Sequence, residues 1–104
     1  MSKNPSIKKA LQFYKYLDIS TGHVMEADLQ KLEEDDCPIT AYPYEEGCWV
    51  HVDNNGETTF NGLLRLGFSV GFAKVYMAAV EAKCQWIKFD CDGWEYERFK
   101  HYDW

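Results

Sequence analysis

The stretch from residue 38 to residue 53 constrains the fold more than any other part of the chain. After the turn-like Glu45-Glu46-Gly47, small apolar and larger polar or aromatic residues alternate from Cys48 to Asp53, which predicts a strand with one buried face. Before the turn, Pro43 lacks a backbone donor and therefore predicts an edge strand. A short connection that contains glycine predicts that the two strands pair as an antiparallel hairpin.

Length and hydropathy favour one domain. A chain of 104 residues that is 46% hydrophobic can bury a core of its own, so we expect a single domain over residues 1–104. Residues 1–12 are interpreted as an N-terminal extension and residues 94–104 as an aromatic C-terminal tail. The sequence has neither a run for a membrane span nor a signal segment, which predicts a cytoplasmic protein without membrane contact.

The acidic balance limits the classes of partner. Seventeen acidic residues against eleven basic ones give a formal net charge of -6, which opposes attraction to phosphate backbones or anionic lipid. A partner protein with a basic surface suits this charge better. The aromatic content of 16% favours an interface, because Tyr and Trp serve both cores and interfaces.

The remaining patterns predict helices and strands in alternation. Asn4-Pro5 resembles the start of a short N-terminal helix, and the stretch from about Phe13 to Ser20 alternates as a strand. Met25, with apolar residues following at helical spacing, opens an amphipathic helix. Ser69 caps the strongest predicted helix, and residues 85–90 alternate as a final strand.

This element order predicts an α+β domain of the ferredoxin-like, split βαβ type. Such a domain has a four-stranded antiparallel sheet with two helices on one face. The alternative is an α+β packing in which the N-terminal segment is entirely helical and the sheet has three strands.

Thiols and imidazoles give no specific metal or redox signal. Cys37, Cys48, Cys84 and Cys91 lack the paired spacing of zinc ligands, and nothing indicates export, so we expect free thiols. We therefore predict no structural metal and no cofactor.

Two motifs point to other functions. Asp90-Cys91-Asp92-Gly93 follows an apolar strand, as paired carboxylates do in metal-assisted phosphate chemistry, yet only a short segment follows it. The strand from Gly47 to Val52 is similar in outline to the strand of RNA-recognition domains that stacks bases, although Glu45 and Glu46 stand where basic residues would hold phosphate. A phosphate-processing enzyme and an RNA-binding ferredoxin-like module are therefore the alternatives.

Several short segments resemble a small family of uncharacterised proteins found on bacterial plasmids, prophages and phages. They are Ile19-Ser20-Thr21-Gly22-His23, Tyr42-Pro43-Tyr44-Glu45, Cys84-Gln85-Trp86, Asp92-Gly93 and Tyr102-Asp103-Trp104. The resemblance covers roughly residues 17–104, and Met25 departs from it where a small hydroxyl cap is expected. The family has no assigned catalytic residues. The resemblance implies an accessory gene of a mobile element, directed at host defence.

From these observations we predict a non-enzymatic accessory protein that binds and inhibits a host protein. Components of restriction or CRISPR defence that bind nucleic acid are the candidate partners. Acidic clusters could also imitate a phosphate array, although acidic runs are usually solvated surface. No catalytic residue is assigned. The predicted partner-binding residues are aromatic anchors and the acidic residues beside them: Tyr42, Tyr44, Glu45, Glu46, Trp49, Asp90, Asp92 and Trp94.

Overall fold

The structure is a computed structural model that describes Ile7 and residues 9–104. Within these residues, a sheet and three α-helices account for most of the regular structure. None of the described helices has the length and apolarity that crossing a membrane requires. The elements are β1 (Tyr16–Ser20), a 3₁₀ turn (Thr21–His23), α1 (Glu26–Leu32), β2 (Ala41–Tyr44), β3 (Gly47–His51), α2 (Phe60–Arg65), α3 (Val70–Glu81) and β4 (Trp86–Asp90).

The sheet is mixed, so the predicted antiparallel sheet is wrong. Among the described residues it has four strands in the order β1-β4-β3-β2. β1 and β4 run parallel, with Ile19 opposite Phe89, whereas β4 pairs antiparallel with β3. A ferredoxin-like sheet would alternate strand directions throughout. The α+β class is therefore confirmed, and the ferredoxin-like arrangement is not.

The predicted hairpin and the edge position of its first strand are confirmed. β2 pairs antiparallel with β3 and has no second neighbour in the described sheet. The backbone N–H of His51 donates to the carbonyl of Thr40 at 2.9 Å, so these two residues form a hydrogen-bonded pair. Hydrogen-bonded and non-hydrogen-bonded pairs alternate along an antiparallel ladder, so Pro43 falls at a non-hydrogen-bonded position. The missing N–H of Pro43 therefore faces outward, and no bond within the sheet is lost.

The core lies between one face of the sheet and the helices. Strand residues Ile19, Val50, Ile87 and Phe89 are fully buried there. Phe72 of α3 stacks on Phe89 with ring centroids 5.8 Å apart. The apolar stripe predicted for the α3 sequence is buried, which follows from packing its helical repeat against the sheet.

Two helical expectations need correction. The structure has α2 as a third helix, capped by the Thr59 side chain, beside the two helices of the predicted arrangement. Residues 9–15 form no helix, so both the predicted N-terminal helix and the all-helical alternative are wrong over these residues. Leu11 is 83% exposed and gives this segment no packing, and so short a helix is unstable alone. Asn4 and Pro5 lie outside the described residues.

The C-terminal tail packs on β1 and the 3₁₀ turn, as expected for an aromatic segment. The backbone N–H of Tyr96 donates to Nε2 of the buried His23 at 2.8 Å. Nδ1 of His23 must then carry the proton that it donates to the carbonyl of Lys100 at 2.9 Å. Trp104 Nε1 also donates to the carbonyl of Val24. These contacts hold the tail against the edge of the sheet that β1 forms.

Candidate functional site

The outer face of the sheet is lined by side chains in rows set by the strand register. The face opposite the core carries the alternate residues of all the strands. One row contains Tyr16, Trp86 and His51, and the next contains Asp18, Lys88, Trp49 and Tyr42. A third row contains Asp90 and Tyr44. The helices bury their apolar residues against the other face, so no helix within residues 9–104 lies over these aromatic rows.

The rings of the first two rows contact one another across the strands. The ring centroids of Tyr16 and Trp49 are 5.1 Å apart at an edge-to-face angle. Trp86 lies between Trp49 at 6.3 Å and Tyr42 at 5.9 Å. Such edge-to-face pairs stabilise one another beyond their buried area, so the rings form a preorganised cluster. We call Tyr14, Tyr16, Tyr42, Trp49 and Trp86 the aromatic face.

A shallow depression of about 440 Å³ is lined by the five residues of the aromatic face. Tyr42 is 58% exposed and Tyr16 is 49% exposed, so their rings contact solvent as well as their neighbours. The Lys88 ammonium lies 5.9 Å from the centroid of the Trp49 ring, in cation–π range. His51 packs edge-on against Trp86 at 5.0 Å. Large exposed apolar surface on a small domain marks an interaction site.

At the hairpin end of the face, the aromatic surface gives way to carboxylates. The Tyr44 hydroxyl donates to Asp90 Oδ2 at 2.7 Å, and burial together with this carboxylate raises the pKa of Tyr44. The Asp92 backbone N–H donates to Asp90 Oδ1 at 2.8 Å. The hydrogen bond from Tyr44 is the main reason that the pKa of Asp90 lies below its ordinary value, with the Asp92 N–H and the Lys88 charge adding to it.

The same turn brings three metal-type ligands together. Ligand atoms of Asp90, Cys91 and Asp92 lie within 4.8 Å of one another. Both oxygens of the Asp90 carboxylate already accept hydrogen bonds, and Cys91 and Asp92 are exposed. Desolvation by nearby atoms, followed by the neighbouring carboxylates, raises the pKa of the Cys91 thiol, which disfavours the thiolate that binds soft metals. The arrangement suits a closed turn better than an ion site.

The structure divides the residues predicted for partner binding between these two regions. Tyr42 and Trp49 belong to the aromatic face, whereas Tyr44, Asp90 and Asp92 meet at the carboxylate end. The hairpin turn exposes Glu45 and Glu46 beside them, and the carbonyl of Glu46 accepts from the N–H of Cys91 at 2.9 Å. Trp94 is 70% exposed where the tail begins, and it does not line the aromatic depression.

Sequence reasoning missed Tyr16, Trp86 and Lys88 as members of the site. Each lies on the solvent side of a strand that the sequence predicted, so alternation alone could have placed it there. The prediction lacked the strand order. Only the pairing of β4 with both β1 and β3 brings Tyr16 and Trp86 beside Trp49.

A model of a protein family matches residues 16–104, and its description is a family of unknown function (DUF5983), C-terminal domain. The chain belongs to this family of unknown function. Comparison with curated proteins found no match, and comparison with solved structures found none either. The DUF5983 match begins at the first residue of β1, so it contains the aromatic face except Tyr14. The resemblance to an uncharacterised family is thereby confirmed, and its distribution on mobile elements stays a prediction.

Proposed function

We propose that this chain is a non-enzymatic protein-binding module that docks its partner on the aromatic face. The observation that supports this is the meeting of Tyr16, Tyr42, Trp49 and Trp86 on the side of the sheet that no described helix covers. Tyr and Trp are enriched among the residues that dominate binding energy at protein interfaces. Their mutual contacts hold the rings in place before binding, so little rotamer entropy is lost when a partner docks.

The proposed biological setting is an accessory protein of a phage or other mobile element that acts in the host cytoplasm. There it binds and inhibits a host protein with a basic surface, and proteins of restriction or CRISPR defence are the candidates to test. The net charge of -6 supports a basic partner, because complementary charge speeds protein association.

Affinity capture with matched variants tests the proposal. The immobilised wild-type chain and the Trp49→Ala/Trp86→Ala double variant are exposed to the same bacterial host lysate. We expect one protein to be retained by the wild type and lost with the double variant. Val70→Ser is the matched control, because Val70 is an exposed apolar residue of α3, the helix on the opposite side of the sheet. Retention by all three proteins alike, or no retention, would contradict the proposal.

A second candidate is the stacking of unpaired RNA bases on the same rings. The observation that favours it is the Lys88 ammonium beside the Trp49 ring, because aromatic rings with a nearby cation are the features that bind single strands. Titrating the protein with a fluorescent single-stranded oligonucleotide at physiological salt distinguishes RNA binding from protein docking. Protein docking predicts no binding there, since the carboxylates at the hairpin end repel phosphate.

The enzymatic alternative assigns phosphate chemistry to Asp90 and Asp92. In the structure, Asp90 is a hydrogen-bond acceptor for Tyr44 and for the Asp92 backbone, a role that a turn requires. Asp90→Asn is therefore expected to leave a protein that still binds its partner. Hydrolysis of a phosphate ester by the purified wild type, lost in Asp90→Asn, would overturn the binding-module proposal.

A further inference from the structure

The outer face of the sheet changes in character along β4, from aromatic at one end of the strand to acidic at the other. Trp86, at the start of this strand, lies among rings, whereas Asp90, at its end, lies beside the carboxylate of Asp92. The two residues are four positions apart in the extended strand, a distance of about 13 Å at the rise of a strand. A partner that covers the whole face must therefore contact an apolar surface at one end and an acidic surface at the other.

The acidic end carries more charge than Asp90 alone. Glu45 and Glu46 occupy the hairpin turn, and Asp92 follows directly in the adjoining turn. Within residues 9–104, the only ion pair joins His101 to Glu95, so no described lysine or arginine forms an ion pair with these carboxylates. The Lys88 charge lowers the pKa of Asp90 without a direct contact of this kind. A partner surface with complementary charge at this end is therefore basic.

We infer that the partner presents an apolar anchor side chain and, about 13 Å from it, a lysine or arginine. The anchor packs among the rings of Trp49, Trp86 and Tyr42, and the basic group lies at the Asp90 end of β4, which Glu46 and Asp92 adjoin. The partner is thus a protein segment with both groups at this separation, oriented with its basic group toward the hairpin turn. This inference rests on the proposed function and adds the chemistry and direction of the docked segment.

Two synthetic peptides test the inference on the full chain. Both are acetylated and amidated, with the sequences WSGSR and WSGSE, so that a tryptophan and a charged residue stand four positions apart. Titration is followed by nuclear magnetic resonance through the indole N–H signals of Trp49 and Trp86 and the backbone amides of Glu46 and Asp92. At low salt we expect both sets of signals to shift with WSGSR, which should bind about threefold more tightly than WSGSE.

Charge reversal at two places supplies the control. Glu46→Lys with Asp92→Lys should abolish the preference for WSGSR. Glu57→Lys with Glu81→Lys changes the net charge equally at exposed positions outside this end of the sheet and should leave the preference intact. Equal affinity for the two peptides, a preference that survives reversal at Glu46 and Asp92, or unshifted indole signals would each overturn the inference. The proposed function is judged separately by whether the captured protein needs Trp49 and Trp86.

Discussion

Asp28 and Ser69 join the start of α1 to the start of α3 across 41 residues of sequence. The Ser69 backbone N–H donates to Asp28 Oδ1 at 2.8 Å, and its hydroxyl donates to Oδ2 at 2.6 Å. The same carboxylate accepts from the backbone N–H of Met25, while Ser69 Oγ accepts from the N–H of Phe72. One buried carboxylate thus links both helix starts on the core side of the sheet.

Replacing Asp28 should weaken the fold more than its place in a short helix suggests. Asp28→Ala leaves three donors around a buried site without their acceptor, and we expect the free energy of unfolding to fall by about 3 kcal/mol. Urea unfolding followed by circular dichroism measures it. Glu26→Ala, in the exposed first turn of the same helix, should change stability by less than about 0.5 kcal/mol. Equal effects of the two variants would show that the link contributes nothing.

His23 should control whether the C-terminal tail stays docked. His23→Ala removes the acceptor of the Tyr96 N–H and the donor to the Lys100 carbonyl, so we expect faster hydrogen exchange over residues 96–104. Stability should fall by about 2 kcal/mol. His51→Ala, at an exposed position on β3, is the matched control and should leave tail exchange unchanged. Unaltered tail exchange in His23→Ala would contradict docking of the tail on His23.

The hairpin should not tolerate a side chain at Gly47. A Cβ there would collide with the backbone carbonyl of Phe89 on the neighbouring strand. Gly47→Ala is expected to destabilise the protein by about 3 kcal/mol or more through displacement of β3 from β4. Gly56 has a φ of +85° with open space around it, so Gly56→Ala should cost only about 1 kcal/mol. Thermal unfolding of both variants measures the two losses of stability. A larger loss in Gly56→Ala than in Gly47→Ala would be incompatible with the close approach of Gly47 to the Phe89 carbonyl.

Alkaline pH should reduce the stability that Cys48 provides. Burial raises the pKa of its thiol from an ordinary 9.0 to about 11, so between these values the unfolded thiol ionises while the folded one stays protonated. The buried Cys48 thiol therefore contributes to folding stability below pH 9, and this contribution is lost as the pH rises through about 11. The stability difference between wild type and Cys48→Ala, from urea unfolding, should narrow from pH 8 to pH 11. A constant difference across this range would refute the assignment.

The sequence predicted those elements whose determinants lie close together in the chain. Pro43 and the turn at Glu45-Glu46-Gly47 define the hairpin within a few residues, and the apolar repeat from Phe72 to Ala79 defines α3. Alternation also placed Trp49 on the outer face correctly. Each of these signals needs only local spacing and the chemistry of a few side chains.

Contacts between distant segments could not be predicted in the same way. The parallel pairing of Tyr16 with Trp86 joins strands 70 residues apart, and no local pattern distinguishes it from an antiparallel alternative. The lack of a predicted strand order also hid the aromatic face, because its rings come from separate strands. The N-terminal helix failed for a related reason, since helical spacing at Leu11 has no packing partner to stabilise it.

Docking on the aromatic face is tested best by the affinity of the captured partner for single tryptophan variants. Trp49 lies within the aromatic face, whereas Trp94, also predicted from sequence as an anchor, is exposed outside it. By isothermal titration calorimetry, we expect Trp49→Ala to weaken binding at least about thirtyfold, as loss of a central anchor does, and Trp94→Ala to change it less than about threefold. Strong loss with Trp94→Ala and none with Trp49→Ala would contradict docking on the aromatic face.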